Sequence, residues 1–252
     1  EIRNFVRQKS LELGYPFYDL RENKGLMREI MFRNTTDGQW MVLIIFAEED
    51  PTVIENLMGE IQKNFPQISC LYYSINQKNN DSYEGLTMNY YAGDQYLTEK
   101  LEDYIFKIHP KSFFQTNPKQ AVNLYNVAKD FARLKGDEVL YDLYSGTGTI
   151  GIYVSGKCKQ VIGVEYVKEA VDDAFENATL NEVKNARFFA GDMVKVLDDA
   201  FVKANGQPDV IITDPPRAGM HPDVVKKIVA LSPSRVVYVS CNPATQVRDI
   251  AL

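Results

Sequence analysis

Five short β-rich runs separated by helix-like stretches, all after about Gly136, constrain this chain more than any other feature. They are EVLYDL (138–143), QVIGVE (160–165), ARFFAG (186–191), DVIITD (209–214) and RVVYVS (235–240). Stretches between them, such as KEAVDDAFENATLNE (168–182), carry the apolar spacing of amphipathic helices. Strands that alternate with helices return parallel to one another, so an open, doubly wound α/β sheet is expected. Sheets of this kind bind ligands beyond the carboxyl ends of their strands, and chemistry is sought there first.

The preceding part has a different texture. A helix-like start is followed by the strand-like run QWMVLIIFA (39–47), a helical stretch (52–65), SCLYYSIN and the polar run QKNNDSYE (77–84), which reads as an exposed loop. A β-α-β order with an exposed hairpin is expected, giving a smaller α/β domain over residues 1–106 and a second domain over 107–252. The last residue lies 252 − 241 = 11 positions after Cys241, where such a sheet normally continues, so its C-terminal part is expected to be missing. A start at Glu1 rather than Met likewise suggests a piece of a longer chain.

Composition excludes several classes. With 45% hydrophobic and 25% charged residues among 252, the chain suits a globular protein of one or two domains. No apolar run reaches the roughly 20 residues that span a bilayer, and the first residues lack signal-peptide order, so a cytoplasmic protein with no membrane partner is expected. Cys70, Cys158 and Cys241 lie far apart, which suggests neither a metal site nor a disulfide framework. The net charge of −6 weighs against a dedicated nucleic-acid-binding domain.

The strand ends carry the candidate residues. The first run opens into DLYSGTGTIG (142–151), where Gly146 and Gly148 let the backbone turn tightly and approach a ligand. Glu165 ends the second run, 165 − 146 = 19 residues after Gly146, near the spacing at which an acid accepts ribose hydroxyls. A nucleotide-like ligand is expected, with NAD the nearest competitor. Gly191-Asp192 follows the third run and could reach an adenine edge in the same crevice. DPPRAG (214–219) follows the fourth, its prolines stiffening a loop that holds Asp214 and Arg217. Cys241 follows the fifth; an isolated free cysteine is most often a packing residue, but this one stands at a strand terminus where Asn242-Pro243 breaks the strand.

Taken with SFFQTN (112–117), the motifs DLYSGTGTIG, DPPRAG and SCNPATQVRD resemble the RNA 5-methyluridine (uracil-C5) methyltransferase family, in family order over residues 107–252. The resemblance implies a Rossmann-like S-adenosylmethionine-dependent domain, with the smaller domain similar to the family's central domain. It implies Cys241 as the attacking thiol, and Gln115, Tyr144, Glu165 and Asp214 as adenosylmethionine or active-site contacts. Phe113 matches the aromatic that lies against the target base, while Thr149 and Asp192 occupy cofactor-contact positions. Uracil C5 is too weak a nucleophile to take a methyl group directly, so thiolate attack at C6 is needed to push electron density onto it. Arg217 and loop amides are candidates to steady the resulting enolate. The target uridine would be flipped out, with Phe113 offering a stacking face. The family's general-base glutamate is expected beyond Leu252, and a TRAM domain or iron–sulfur cysteines, if present, before Glu1. The expected partner is RNA, 23S ribosomal RNA ahead of tRNA; no oligomeric state is implied. Alternatives are a methyltransferase acting on an adenine amino group or a small molecule, and a non-catalytic RNA-binding module.

Overall fold

The computed structural model describes residues 1–252, which form two compact units: Glu1–Glu99 with Ile108–Lys111, and Lys100–Lys107 with Ser112–Leu252. The first begins with α1 (Ile2–Glu12), β1 (Met27–Asn34), β2 (Trp40–Phe46), α2 (Pro51–Asn64), β3 (Cys70–Ile75) and β4 (Asn89–Gly93). Its sheet has the order β1-β2-β3-β4, antiparallel except for the β2–β3 pair that α2 connects. The expected β-α-β unit is β2-α2-β3, and the loop 77–84 leads from β3 to its antiparallel partner β4, whereas β1 is a strand that the sequence pattern does not foretell. Every residue from Met41 to Phe46 is fully buried, which accounts for a continuous rather than alternating apolar run. Asp50 caps α2, its carboxylate accepting from the Thr52 and Val53 N–H groups ahead of Pro51 at the first helical position. The run 77–84 is a loop, but a tethered one. The Arg28 guanidinium donates to the carbonyls of Asn76, Lys78 and Asn80 and pairs with Asp81.

A hairpin of β5 (Leu97–Leu101) and β6 (Tyr104–Ile108) follows. Thereafter come α3 (Pro118–Ala132), β7 (Val139–Leu143), α4 (Thr149–Val154), β8 (Gln160–Glu165), α5 (Lys168–Leu180), β9 (Ala186–Ala190), α6 (Met193–Val196), α7 (Asp199–Asn205), β10 (Val210–Thr213), α8 (Pro222–Leu231), β11 (Arg235–Tyr238) and α9 (Pro243–Ile250). The five strands expected from the sequence form one wholly parallel sheet in the order β11-β10-β7-β8-β9. Some strands are shorter than their apolar runs because end residues turn to other work. Asp209, for example, uses its carboxylate to accept from the Val139 N–H at 2.8 Å.

Helices cover both faces. Tyr125 and Ala128 of α3, Ile152 of α4 and Ala174 of α5 pack with Leu140, Val161 and Ile212 on one side. Met193 of α6 and Val224, Val225 and Ile228 of α8 pack with Tyr141, Ile162, Val164 and Ile211 on the other. Successive strand residues thus feed opposite cores, each fully buried aliphatic side chain contributing about 1.5–3 kcal/mol. The middle of β8 is Gly163, where a Cβ would stand 2.3 Å from Cδ1 of Phe188 on the neighbouring strand. Gly163→Ala should therefore overpack this core and lower unfolding free energy by about 1–3 kcal/mol, read by urea denaturation. An unchanged midpoint would mean that Phe188 has room to move.

Candidate functional site at the strand ends

Parallel pairing places the carboxyl ends of all five strands on one edge of the sheet. Backbone bonds keep the exits in step: Ser145 N–H donates to Val164 O, Asp214 N–H to Leu143 O and Val239 N–H to Thr213 O. Tyr144, Glu165, Asp214 and the Ser240–Cys241 exit therefore stand along one edge, with Gly191 and Asp192 beyond β9.

The loop after β7 alternates in hand, with positive φ at Tyr144 (60°), Gly146 (53°) and Gly148 (77°). Gly148 is obligatory on two counts, since a Cβ there would meet the Phe188 ring at 2.9 Å. Gly146 is different: a Cβ would meet nothing within 4 Å, so this backbone faces open space. Its N–H donates to Glu165 Oε2 at 3.0 Å, and Glu165 Oε1 accepts from the Val167 N–H at 2.9 Å. The partly buried Glu165 thus straps the loop and keeps lone pairs for further donors. Gly151 stands in the third-glycine register of G-x-G-x-x-G. Its lack of a side chain is needed for helix–strand packing, since a Cβ would lie 2.9 Å from both Asp142 Oδ2 and Val161. Glycine spacing by itself therefore leaves a dinucleotide open.

Sequence reasoning passed over Asp142, although it opens the same motif. It is 1% exposed; Oδ2 accepts from the Gly151 N–H at 2.8 Å, whereas Oδ1 is buried without a partner. Burial pushes its carboxyl up to about 7; the Gly151 bond opposes the rise and the charges of Asp214 and Glu165 add to it. Burial likewise lifts Asp214 to about 6. The Ser145 hydroxyl beside them is also buried and unpartnered. Asp142, Asp214 and Glu165 are thus near enough for their charges to act on one another, an arrangement suited to a cationic ligand. Thr149, buried at the start of α4, bonds the hydroxyl of Tyr125 from α3. Asp192 Oδ1 caps α6 by accepting from the Val194 N–H.

Cys241 is exposed, whereas Cys70 and Cys158 are buried. Burial pushes the latter two thiols up to about 12 and about 11, which leaves them protonated and unreactive at neutral pH. Asn242 caps α9 immediately after Cys241, with Pro243 at the first helical position, so the thiol is held at a strand-to-helix turn. The exposed Arg217 is on the facing loop, its carbonyl accepting from Asn242 Nδ2 and Thr245 Oγ1 at 3.2 and 3.4 Å. Phe113, 69% exposed, and the partly buried Gln115 lie between β6 and α3, on a segment anchored by Ser112 to Asp173 and by Phe114 against Phe106. No hydrogen bond or ring contact joins either to the strand-end residues. A cavity of about 370 Å³ lined by Asp198, Lys203, Gln207 and Lys227 contains none of the candidate residues.

Comparison with known proteins identifies the family. The family model described as tRNA (Uracil-5-)-methyltransferase matches residues 83–251. A protein of Porphyromonas gingivalis described as an uncharacterized RNA methyltransferase is 49% identical over 254 residues, covering 100% of this chain and 55% of its own length. One of the same description from Bacteroides thetaiotaomicron is 48% identical, with 56% of its length covered. The chain thus spans about half the length of these relatives. The crystal structure of Pyrococcus abyssi tRNA (uracil-54, C5)-methyltransferase in complex with S-adenosyl-L-homocysteine superposes with a TM-score of 0.77 at 31% identity, covering 98% of this chain and 58% of that one. The crystal structure of M. jannaschii tRNA m1G37 methyltransferase, at 11% identity and a TM-score of 0.54, shares the architecture alone. With the family model matching well over half of its residues, this chain belongs to the tRNA (uracil-5-)-methyltransferase family.

Proposed function

We propose that the protein of which this chain is part methylates C5 of a uridine in RNA, with S-adenosylmethionine as the methyl donor and Cys241 as the nucleophile. The observation that carries this reading is the exposed thiol of Cys241 on the same sheet edge as the Gly146 turn, Glu165 and Asp214. The donor supplies an electrophilic methyl group on a positively charged sulfur. Glu165 accepts its ribose hydroxyls, and the backbone at Gly146 and Gly148, with Tyr144, Thr149, Asp192 and Gln115, completes its cradle. The carboxylates of Asp142 and Asp214 favour its positive charge. Cys241 adds through sulfur to uracil C6, and Arg217 with loop amides steadies the enolate. Asp214 holds the uracil edge, and Phe113 stacks on the flipped base. After transfer, a base takes the C5 proton, the C6–S bond breaks and the thiolate returns. Motif resemblance makes 23S ribosomal RNA the proposed substrate; tRNA is the second arm of the test, because the P. abyssi relative is a tRNA methyltransferase.

Three outcomes follow. Glu165→Ala removes an acceptor from ligand hydroxyls and from the Gly146 N–H, so calorimetry should read about 1–3 kcal/mol weaker adenosylhomocysteine binding. Unchanged affinity removes Glu165 from the site.

The raised carboxyls set a pH dependence. Asp142 and Asp214 have folded-state values above their unfolded 3.8, at about 7 and about 6. Their contribution to stability is therefore complete below pH 3.8 and is lost as pH rises through about 6–7. A bound sulfonium favours their ionised forms. Adenosylmethionine affinity should thus rise from about pH 5 to about pH 8 more steeply than that of uncharged-sulfur adenosylhomocysteine. Parallel profiles would show that these carboxyls do not sense the sulfonium.

Full-length protein given RNA bearing 5-fluorouridine should form a denaturation-resistant adduct that mass spectrometry maps to Cys241, since fluorine cannot leave as a proton does. Ribosomal and transfer RNA are tried separately. A Cys241→Ala protein that still methylates uridine overturns the covalent mechanism.

A further inference from the structure

The tail of SCNPATQVRD plays no part in the chemistry above, yet it holds a buried carboxylate on which a strand-end loop and the thiol-bearing turn converge. Asp249, in the last turn of α9, is 2% exposed. Its Oδ2 accepts from the Met220 N–H and from the Tyr238 hydroxyl, each at 2.7 Å, and its Oδ1 from Arg248 Nε at 2.9 Å. Arg248 Nη2 reaches onward to the carbonyls of Ala218 and Met220 at 3.0 and 3.3 Å. With the Asn242 and Thr245 bonds to the Arg217 carbonyl, the backbone of residues 217, 218 and 220 is tied to α9. Gly219 between them has φ +80°, and a Cβ there would fall 2.6 Å from both Arg248 Nη2 and Asp249 Oδ2. The clamp thus closes on bare backbone.

Local rules disfavour an acid at this position, because a helix C-terminus is the negative end of the dipole. Burial adds to the cost, yet the bonds from Tyr238, Met220 and Arg248 outweigh it and hold the carboxyl below its ordinary range. Its place is explained by what it joins: the loop that begins at Asp214 and carries Arg217, the end of β11 through Tyr238, and the helix that begins beside Cys241.

We propose that Asp249 is a positioning residue of the methyl-transfer site, fixing the 214–220 loop relative to Cys241. This rests on the reading of Cys241 as the attacking thiol. Asp249 touches no substrate; it sets the relative geometry of groups that do, and misplacement of about 1 Å at a reacting centre can cost about a hundredfold in rate.

The test uses full-length protein and the RNA that it methylates. Asp249→Asn keeps the side chain's size but cannot accept at both oxygens. Tyr238→Phe removes a single donor and serves if Asp249→Asn does not fold. Expected for Asp249→Asn are unchanged adenosylhomocysteine affinity and RNA KM, a kcat lower by about tenfold to a hundredfold, and slowing of the 5-fluorouridine adduct by the same factor. Tyr238→Phe should move the same two rates in the same direction, less far. A merely structural role would lower the unfolding midpoint and leave both rates of the folded protein at wild-type values. That result, in whichever variant folds, overturns the proposal. Cys241→Ala is run alongside. If it is inactive while Asp249→Asn is normal, only the clamp fails; if it methylates, the nucleophile reading fails and the clamp's role with it.

Discussion

Everything at the candidate site depends on the parallel ladder of β11-β10-β7-β8-β9. Parallel pairing forces each chain exit to the same edge, so residues up to about 100 positions apart in sequence come to stand along it. The helices packed on both faces keep the sheet dry, and the ladder is therefore not competing with water for its hydrogen bonds. At the edge itself water returns, and polar chemistry becomes affordable.

The edge divides into two halves with different physical character. Around β7 and β8 the backbone shapes the edge: left-handed residues at Tyr144, Gly146 and Gly148 turn the loop, and Glu165 straps it through the Gly146 N–H. Under it lie Asp142 and Asp214, whose carboxyls burial keeps near neutrality in pH, so that a cation arriving there meets groups ready to ionise. Around β10 and β11 side chains dominate instead. The Pro-Pro loop has few N–H groups to offer and is held from outside, by α9 through Asp249, Arg248, Asn242 and Thr245.

The three cysteines show how environment, not residue type, assigns chemistry. Cys70 and Cys158 lie within cores, where a thiolate would be desolvated, and they behave as small apolar residues. Cys241 escapes that fate because β11 already ends at Tyr238 and the helix capped by Asn242, with Pro243 at its first position, turns the chain away, leaving the thiol at the surface.

Much of this was legible in the sequence. Apolar runs bounded by turn residues determine the five strands and their helices, since period and punctuation are local properties. The glycines of DLYSGTGTIG and the strand-end places of Glu165, Asp214 and Cys241 follow from the same reading. Asp142 was not legible, because a single acid inside an apolar run looks like any strand residue until its burial and unpaired oxygen are seen. Nor was Asp249, whose value comes from Met220, Tyr238 and Arg248, one of them 29 residues away. The run 77–84 looks like a free polar loop, yet Arg28, about fifty residues earlier, organises it. Local pattern determines which segments become strands and where the chain must turn. Only tertiary structure decides which distant donors meet a buried charge, because that depends on the register of the sheet and the packing of helices against it.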